Sequence, residues 1–302
     1  MANALRKGLA LLLAAVMLLS VSGCGEEEKP SVDPSEQQEQ PVEPEKEEKP
    51  EEKPEDKTPE IPLEQFNDEI RAAKEKNDDI VGWLKIDDIK VDGAVVQGKD
   101  NKQYERQNEW KEYSWTGSYF ADYECKLREG REGLSKNTVI YGHNVHFDDN
   151  KDGERFSQLF YFRDEEFAKK HPYVYFSLYD DQTAEGGERS KDEMVWEIFS
   201  VFYTTTDFDY IRINKDYRKP EEGEITDAQL MNIITEAQQR SEFVYDVPVT
   251  GEDKILTLST CSYKFGRRND VRFVVMAKLL DEDAPLKEEA SLTVNANKKT
   301  VE

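Results

Sequence analysis

The sequence of 302 residues is poor in cysteine and histidine, with three of each. Three cysteines exclude a disulfide-dense scaffold, so a hydrophobic core must hold the fold together. Basic residues are outnumbered by acidic ones, with 41 Lys and Arg against 65 Asp and Glu, and the net charge is −24. That balance argues against a nucleic-acid binder, which needs a basic surface. A mean hydropathy of −0.84 excludes a polytopic membrane protein.

The first 24 residues have the pattern of an export signal. Arg6 and Lys7 precede the unbroken apolar run Leu9–Leu19, which as a helix spans about 16 Å, half of a bilayer core. Such a length is typical of a signal peptide. The run ends in Val21-Ser22-Gly23-Cys24, which resembles a bacterial lipobox with Cys24 as the lipidated residue. An uncleaved signal anchor or an ordinary signal peptide is the alternative, and each of the three places the remaining chain outside the cytoplasmic membrane.

The composition changes sharply after the signal. Residues 25–60 contain seven of the twelve prolines, no aromatic residue, and 15 acids against 5 bases. This segment cannot bury enough apolar surface to offset its ordering entropy, so it is predicted to be a disordered, extended acidic tether. All aromatic residues lie in 61–302. We therefore predict one folded domain over 61–280, followed by a polar, frayed C-terminal tail over 281–302.

Periodicity within the domain predicts few helices and many short strands. Helical spacing of apolar residues predicts helices over about 63–77 and over 226–240, the second capped by Thr226. Residues 156–170 are predicted to form one or two helical turns, and 180–193 a polar loop. The predicted strands are 82–89, 93–97, 117–122, 138–142, 173–179, 194–205, 254–260 and 271–279. This content predicts an all-β dominated fold, a barrel or sandwich decorated by helices.

Two of the cysteines lie in the predicted domain. Cys261 comes at the end of the predicted strand, directly after 254–260, where the sheet would hold it rigidly while its sulfur faces a groove, as a nucleophile requires. A buried structural cysteine is equally compatible with the pattern. Cys125 lies in a charged loop and is interpreted as a bystander thiol, with a disulfide to Cys261 as the minor alternative.

The histidines differ in their surroundings. His143 follows the strand 138–142 and so also lies at a strand end, while His146 lies in a predicted loop. The two could suggest a metal site, but a His-x-x-His pair without a third ligand is a weak signal. His171 ends a helical stretch, where an imidazolium favours the helix dipole, and is interpreted as structural.

A partial calcium motif follows the histidine pair. Asp148, Asn150, Asp152 and Gly153 match the first half of an EF-hand loop, but the twelfth position is Leu159 instead of the bidentate glutamate. We therefore predict no metal.

Arg272 opens the last strand, across the loop 262–270 from Cys261. Antiparallel strands joined by this loop would bring the guanidinium near the thiol, where a cation lowers a thiol pKa and can stabilise an oxyanion. Arg267 and Arg268, within the loop, are alternatives for this role. A solvated, salt-bridged Arg272 is the remaining interpretation.

Taken together, these segments resemble a known enzyme family. TLSTC at 257–261 followed by RFVVMAKL resembles the active-site segment of a sortase, and VIYGHN at 139–144 resembles the sortase histidine segment. KNDDIVGWLKIDD at 76–88 and GAVVQGKDNKQY at 93–104 are similar to class B sortases. The resemblance extends over about 65–280 with all segments in the family's order.

The resemblance implies an eight-stranded sortase barrel with an N-terminal helix and an extra helix between strands six and seven. It implies a membrane-anchored cysteine transpeptidase of Gram-positive bacteria, on the extracytoplasmic face of the membrane, that needs no cofactor. By resemblance Cys261 is the nucleophile, His143 the general acid/base and Arg272 the transition-state stabiliser. Ser259 and Thr260 are expected to line the substrate groove.

The resemblance also implies the partners. They are exported proteins with an LPxTG-like or NPxTN-like sorting signal, cleaved after Thr, and a peptidoglycan precursor amine as acceptor. A pilin lysine as acceptor is an alternative. Specificity is expected in the connection 206–253. A papain-like peptidase is disfavoured because His143 precedes Cys261 and the cysteine ends a strand, and a non-enzymatic binding lipoprotein would not depend on Cys261.

Overall fold

The computed structural model describes residues 63–145, 148–179, 194–216 and 218–301. The predicted signal peptide, the lipidation site Cys24, the tether, the loop 180–193 and His146 therefore lie outside the described residues. The helices are α1 Leu63–Lys76, α2 Gly130–Gly133, α3 Glu165–Lys170 and α4 Asp227–Arg240. The strands are β1 Ile80–Lys85, β2 Asp92–Val96, β3 Tyr119–Ala121, β4 Asn137–Tyr141, β5 Tyr173–Leu178, β6 Val195–Thr205, β7 Phe243–Tyr245, β8 Ile255–Cys261, β9 Val271–Leu279 and β10 Leu292–Val294.

Eight of these strands close into a barrel in the order β1-β2-β3-β4-β8-β9-β6-β5. The pairs β2–β3 and β4–β8 are parallel, and the remaining neighbouring pairs of the barrel are antiparallel. The prediction of an eight-stranded barrel with an N-terminal helix is confirmed. The extra helix is α4, which lies between β6 and β8, the sixth and seventh strands of the barrel.

Helix α4 begins where the sequence predicted, at a cap formed by Thr226. The Thr226 hydroxyl accepts from the Gln229 amide, and the Gln229 side chain accepts from the Thr226 amide, so two otherwise unpaired backbone donors are satisfied. Leu230 and Ile234 are fully buried, and the Ser200 hydroxyl donates to the carbonyl of Ala237 on the helix. The helix is thereby fixed against β6.

The expectation of a frayed C-terminal segment was wrong. β10 pairs antiparallel with β7 in a separate two-stranded sheet, with Leu292 opposite Tyr245 and nearly buried. The Asn295 side chain donates to the carbonyl of Ser241. A three-residue strand in a polar stretch carries little periodicity, and its pairing partner is distant in sequence, so local pattern gave no indication of it.

Strand pairing at one edge of the barrel determines where functional residues meet. The parallel strands β4 and β8 pair from Asn137 opposite Ile255 to Tyr141 opposite Ser259. Because parallel neighbours end at the same edge of a sheet, the residues that follow β4 emerge beside the end of β8. β8 and β9 pair antiparallel, so the last residue of β8 lies beside the start of β9.

No helix among the described residues is long and apolar enough to cross a membrane.

Candidate active site

A cleft of about 330 Å³ opens at this edge of the barrel, and the three predicted catalytic residues line it. Cys261 is the last residue of β8, Arg272 is its register partner on β9, and His143 follows β4 after one glycine. The remaining lining residues are Asn101, Glu105, Phe120, Tyr141, Gly142, Thr206, Phe208, Asp209, Tyr210, Ile211, Ser259 and Thr260. A thiol, an imidazole and a guanidinium facing one cleft form the group set needed for covalent acyl transfer.

Cys261 is a free, half-buried thiol. Its backbone is held on both sides: it pairs with Arg272 across the ladder, and its carbonyl accepts from the Asn144 side chain at 3.0 Å. The sheet thus holds the sulfur at a constant position in the cleft wall while leaving it accessible. The predicted proximity of Cys261 and Arg272 is confirmed by this register.

The imidazole of His143 is anchored by a backbone carbonyl. Its Nε2 lies 2.8 Å from the carbonyl oxygen of Glu105. Because a carbonyl only accepts hydrogen bonds, Nε2 is the donor in this contact, and Nδ1 is the ring nitrogen that the contact leaves unused. Sequence reasoning missed Glu105 because it acts through its backbone, which leaves no side-chain signature.

Gly117 allows the backbone to pass close to the Glu105 carbonyl and to His143. Its φ is +59°, and a Cβ there would lie 2.8 Å from the Glu105 carbonyl oxygen and 3.1 Å from Cδ2 of His143. Left-handed backbone favours glycine, and the contact leaves no room for a side chain.

We expect Gly117→Ala to lower the stability of the protein and to displace the imidazole of His143. The free energy of unfolding should fall by about 1–3 kcal/mol from backbone strain and overlap, and kcat/KM should fall by about tenfold as the imidazole shifts. Thermal unfolding and peptide-cleavage kinetics measure the two effects. Gly130→Ala is the matched control, since Gly130 has φ +68° with no atom within 4 Å of its added Cβ, so it should lose stability without losing activity.

Among the three candidate arginines, the structure singles out Arg272. Its Nη1 donates to the carbonyls of Asn269 at 2.8 Å and Val271 at 3.0 Å, which fixes the guanidinium at the cleft. Arg268 instead forms an ion pair with Asp270, with Nη2 and Oδ2 2.7 Å apart, and Arg267 is exposed. Of these three described residues, Arg272 is the one that lines the cleft.

Ser259 and Thr260 line the cleft, but their hydroxyls are already engaged. The Ser259 hydroxyl lies 2.7 Å from the Tyr210 hydroxyl, and the Thr260 hydroxyl donates to the carbonyl of Gly142 at 2.8 Å. Burial raises the pKa of Tyr210 to about 12, so the phenol stays protonated. Both residues therefore shape the wall, and a direct substrate contact by their side chains stays a prediction.

The connection after β6 forms one wall of the cleft. Thr206, Phe208, Asp209, Tyr210 and Ile211 all belong to it and line the cleft. These residues fall within 206–253, the connection in which specificity was expected. The structure was needed to show that these residues line the cleft, because the connection contains no recognisable sequence motif.

Cys125 is unsuited to nucleophilic chemistry. It is buried, its sulfur accepts from the Val139 amide at 3.3 Å, and burial raises its thiol pKa. A buried thiol with a raised pKa is inert. Both Cys125 and Cys261 are free, so the alternative of a disulfide between them is wrong.

His171 lies away from the cleft-lining set and has structural contacts. Its ring stacks on Phe167 with centroids 3.9 Å apart, Nδ1 lies 2.8 Å from the Phe167 carbonyl oxygen, and Nε2 lies 2.8 Å from Oδ2 of Asp88. These contacts tie the end of α3 to the loop after β1.

The partial calcium motif forms local turns. Asp148 accepts from the Asn150 amide, Asn150 from the Asp152 amide, and Asp152 from the Tyr161 hydroxyl. Within the described residues, no cluster of three or more His, Cys, Asp or Glu could hold a metal ion.

Comparison with known proteins agrees with the barrel fold. The sortase domain family matches residues 84–280. The chain is 36% identical to sortase B of Listeria monocytogenes over 220 residues, which are 72% of this chain and 76% of the relative. The X-ray structure of Clostridium perfringens sortase B matches with a TM-score of 0.54 at 30% identity, covering 70% of this chain and 99% of that one.

A Staphylococcus aureus sortase B–substrate complex is also similar, with a TM-score of 0.54 at 29% identity, covering 72% of this chain and 85% of that chain. Family membership and barrel topology both point to an enzyme that works through a cysteine and acts on proteins bearing a sorting signal. The papain-like alternative is therefore set aside. The chain belongs to the sortase family, as a class B cysteine transpeptidase.

Proposed function

We propose that this transpeptidase cleaves the sorting signal of an exported protein after Thr, through a thioacyl intermediate on Cys261, and transfers the protein to an amine of a cell-wall precursor. The observation that carries the proposal is the placement of Cys261, His143 and Arg272 on one cleft, with Cys261 and Arg272 in register on adjacent strands.

The first half-reaction forms the intermediate. The Cys261 thiolate attacks the carbonyl carbon of the signal's threonine, and the carbonyl electrons move to oxygen. The guanidinium of Arg272 stabilises this oxyanion; Nη1 is held by two carbonyls, which leaves Nε and Nη2 as donors. When the tetrahedral intermediate collapses, the C–N bond breaks and the imidazolium of His143 protonates the leaving amine. The product is a thioester on Cys261.

The second half-reaction reverses these roles. The acceptor amine attacks the thioester carbonyl, His143 removes the proton from the attacking nitrogen, and Cys261 leaves as the thiolate. The proton and the thiolate are thereby restored over the two half-reactions, so the transfer requires no cofactor. Anchoring of Nε2 by the Glu105 carbonyl keeps Nδ1 available for both proton transfers.

The cleft wall suits an extended peptide. Phe208, Tyr210 and Ile211 supply an apolar surface on one side, and the volume of about 330 Å³ is at the small end of the range for ligand sites. We propose that Ser259 and Thr260 contribute to the groove through their backbone and packing, since their hydroxyls are paired inside the protein.

We infer the location of the enzyme from the sequence of its first 60 residues. The predicted signal peptide with its lipobox-like end at Cys24 and the predicted acidic tether over 25–60 support attachment to the outer face of the cell membrane of a Gram-positive bacterium. Such an arrangement would hold the domain where exported substrates and wall precursors are found.

The decisive test is incubation of the protein with a panel of LPxTG-like and NPxTN-like peptides and an amine acceptor. Intact-protein mass spectrometry should show a thioacyl adduct, and peptide mapping should place it on Cys261. Cleavage after Thr identifies the motif. Comparing a wall-precursor amine with a pilin-type lysine peptide identifies the acceptor. A folded protein with a reactive thiol and no adduct from any peptide would contradict the proposal and favour a binding lipoprotein.

We expect Arg272→Lys to lower kcat/KM about 100-fold, because an ammonium keeps the charge but loses the planar array of donors facing the oxyanion. Steady-state cleavage of the identified peptide measures the effect. Arg268→Lys is the control and should stay within about twofold, since Arg268 pairs with Asp270 and does not line the cleft. A loss in the Arg268 variant with a retained rate in the Arg272 variant would reassign the role.

A further inference from the structure

Asp149 has a buried carboxylate and is not one of the residues that line the cleft. The residue is 5% exposed, and its backbone φ is +53°. It lies in the segment that follows β4, six residues after His143. Burial of a charged group and a left-handed backbone both cost free energy, so the surrounding contacts must compensate for them.

Three hydrogen bonds converge on this carboxylate. Oδ1 accepts from the Asn144 side-chain amide at 2.8 Å and from the Tyr263 backbone amide at 2.7 Å, and Oδ2 accepts from the Ser262 hydroxyl at 2.6 Å. Hydrogen bonds to a carboxylate are about twice as strong as neutral ones. The nearby Arg163 donates to the backbone carbonyl of Asp149 at 3.2 Å, which fixes the same residue from the other side.

The three donors come from the two segments that carry the catalytic groups. Asn144 follows His143 directly, and Ser262 and Tyr263 follow Cys261 directly. Asn144 also donates to the Cys261 carbonyl at 3.0 Å, so Asp149 and Asn144 together join the end of β8 to the chain after β4. A shift of one segment relative to the other would disturb these hydrogen bonds to the buried carboxylate.

Ser157 completes the hydrogen bonds around Asn144. The Ser157 hydroxyl donates to Oδ1 of Asn144 at 3.1 Å and accepts from the Val145 amide at 3.0 Å. Asn144 and Ser262 are buried, with Ser262 fully so. The hydrogen-bonding groups are therefore shielded from water, which makes loss of any partner costly.

We propose that Asp149 is a positioning residue for the transpeptidation: its carboxylate binds the segment after His143 to the segment after Cys261 and so sets the spacing between imidazole and thiol. This inference rests on the proposed roles of Cys261 and His143. Asp149 does not line the cleft, so it acts on the reaction through these neighbours.

Single-turnover acylation of the full chain by a cleaved LPxTG-type or NPxTN-type peptide tests the proposal. Asp149→Ala should lower the acylation rate about 100-fold with KM within about twofold, because misplacement of reacting groups affects the chemical step more than peptide binding. Asp149→Asn should recover to within about fivefold of wild type, since its amide oxygen still accepts from Asn144 and Tyr263 and asparagine tolerates positive φ.

Asp148→Ala is the matched control. Asp148 is exposed, lies one residue away, and accepts a local hydrogen bond from the Asn150 amide, so its variant should keep the wild-type rate. If Asp149→Ala does not fold, Ser262→Ala removes one of the three bonds and should lower the acylation rate about tenfold with KM unchanged.

Two results would overturn the proposal. One is an Asp149→Ala rate equal to that of Asp148→Ala, and the other is an Asp149→Asn variant no faster than Asp149→Ala while both are folded. The wild type and a Cys261→Ala variant run in the same assay. Failure of the wild type to acylate would contradict the proposed function, whereas normal wild-type acylation with an active Asp149→Ala would contradict this inference alone.

Discussion

Replacement of Cys261 by alanine is expected to abolish thioacyl formation and to lower transpeptidation by at least about 10⁴-fold, since Cys261 supplies the thiol among the described residues that line the cleft. The sulfur is held at the end of β8 by pairing with Arg272 and by the hydrogen bond from Asn144 to its carbonyl. Alanine preserves the backbone at this position, so the peptide should still bind. The measurements are intact mass after incubation with the cleaved peptide, single-turnover rate and peptide affinity.

The matched control for this variant is Cys125→Ala. Cys125 is buried, and its sulfur accepts from the Val139 amide, so its loss should cost about 1–3 kcal/mol of folding free energy through a small cavity and an unpaired amide. Activity per folded molecule should not change. An acyl adduct that persists in Cys261→Ala and disappears in Cys125→Ala would contradict the assignment of the nucleophile.

Substitution of His143 by glutamine is expected to lower the acylation rate about 10³-fold, within the range typical of general acid–base catalysis. A glutamine amide can still donate to the carbonyl of Glu105, as Nε2 of His143 does at 2.8 Å, but it cannot transfer a proton to the leaving amine. The expected defect therefore lies in chemistry, with peptide affinity retained. Single-turnover acylation and equilibrium binding of the peptide measure the two effects.

His171→Gln is the control that separates catalysis from a general need for histidine. His171 stacks on Phe167 and lies 2.8 Å from Oδ2 of Asp88. Its replacement should lower the free energy of unfolding by about 1 kcal/mol, as expected for a lost stacked ring and hydrogen bond. Acylation should remain at the wild-type rate. Equal losses in the two histidine variants would mean that the His143 effect is structural.

Parts of the fold were predictable because they depend on neighbours in sequence. The cap at Thr226 and the buried face of α4, including Leu230 and Ile234, produce short-range patterns that periodicity detects. The proximity of Cys261 and Arg272 was also predictable, since a short loop between two antiparallel strands brings their ends together. The resemblance to sortases supplied the remaining assignments.

Other parts could not be read from local pattern. Three features depend on contacts with residues far along the chain. They are the short strand β10, the carbonyl of Glu105 and the carboxylate of Asp149. The hydrogen bond between Asn144 and Cys261, for example, joins residues 117 positions apart. A backbone acceptor has no side-chain signature, and Asp149 lies in a stretch that matches only half of a calcium motif, a pattern that gives no indication of its hydrogen bonds to Ser262 and Tyr263.

The sequence by itself determined the eight barrel strands, the two longer helices and the residue types capable of acyl transfer, because periodicity, capping and strand-end position are local properties. The tertiary structure decided that the residues after β4 emerge beside the end of β8, which brings His143 to the same cleft as Cys261 and Arg272. It also decided which of Arg267, Arg268 and Arg272 lines the cleft. The physical reason is that parallel pairing and burial are set by the closed barrel as a whole, whose hydrogen bonds join segments that are remote in the chain.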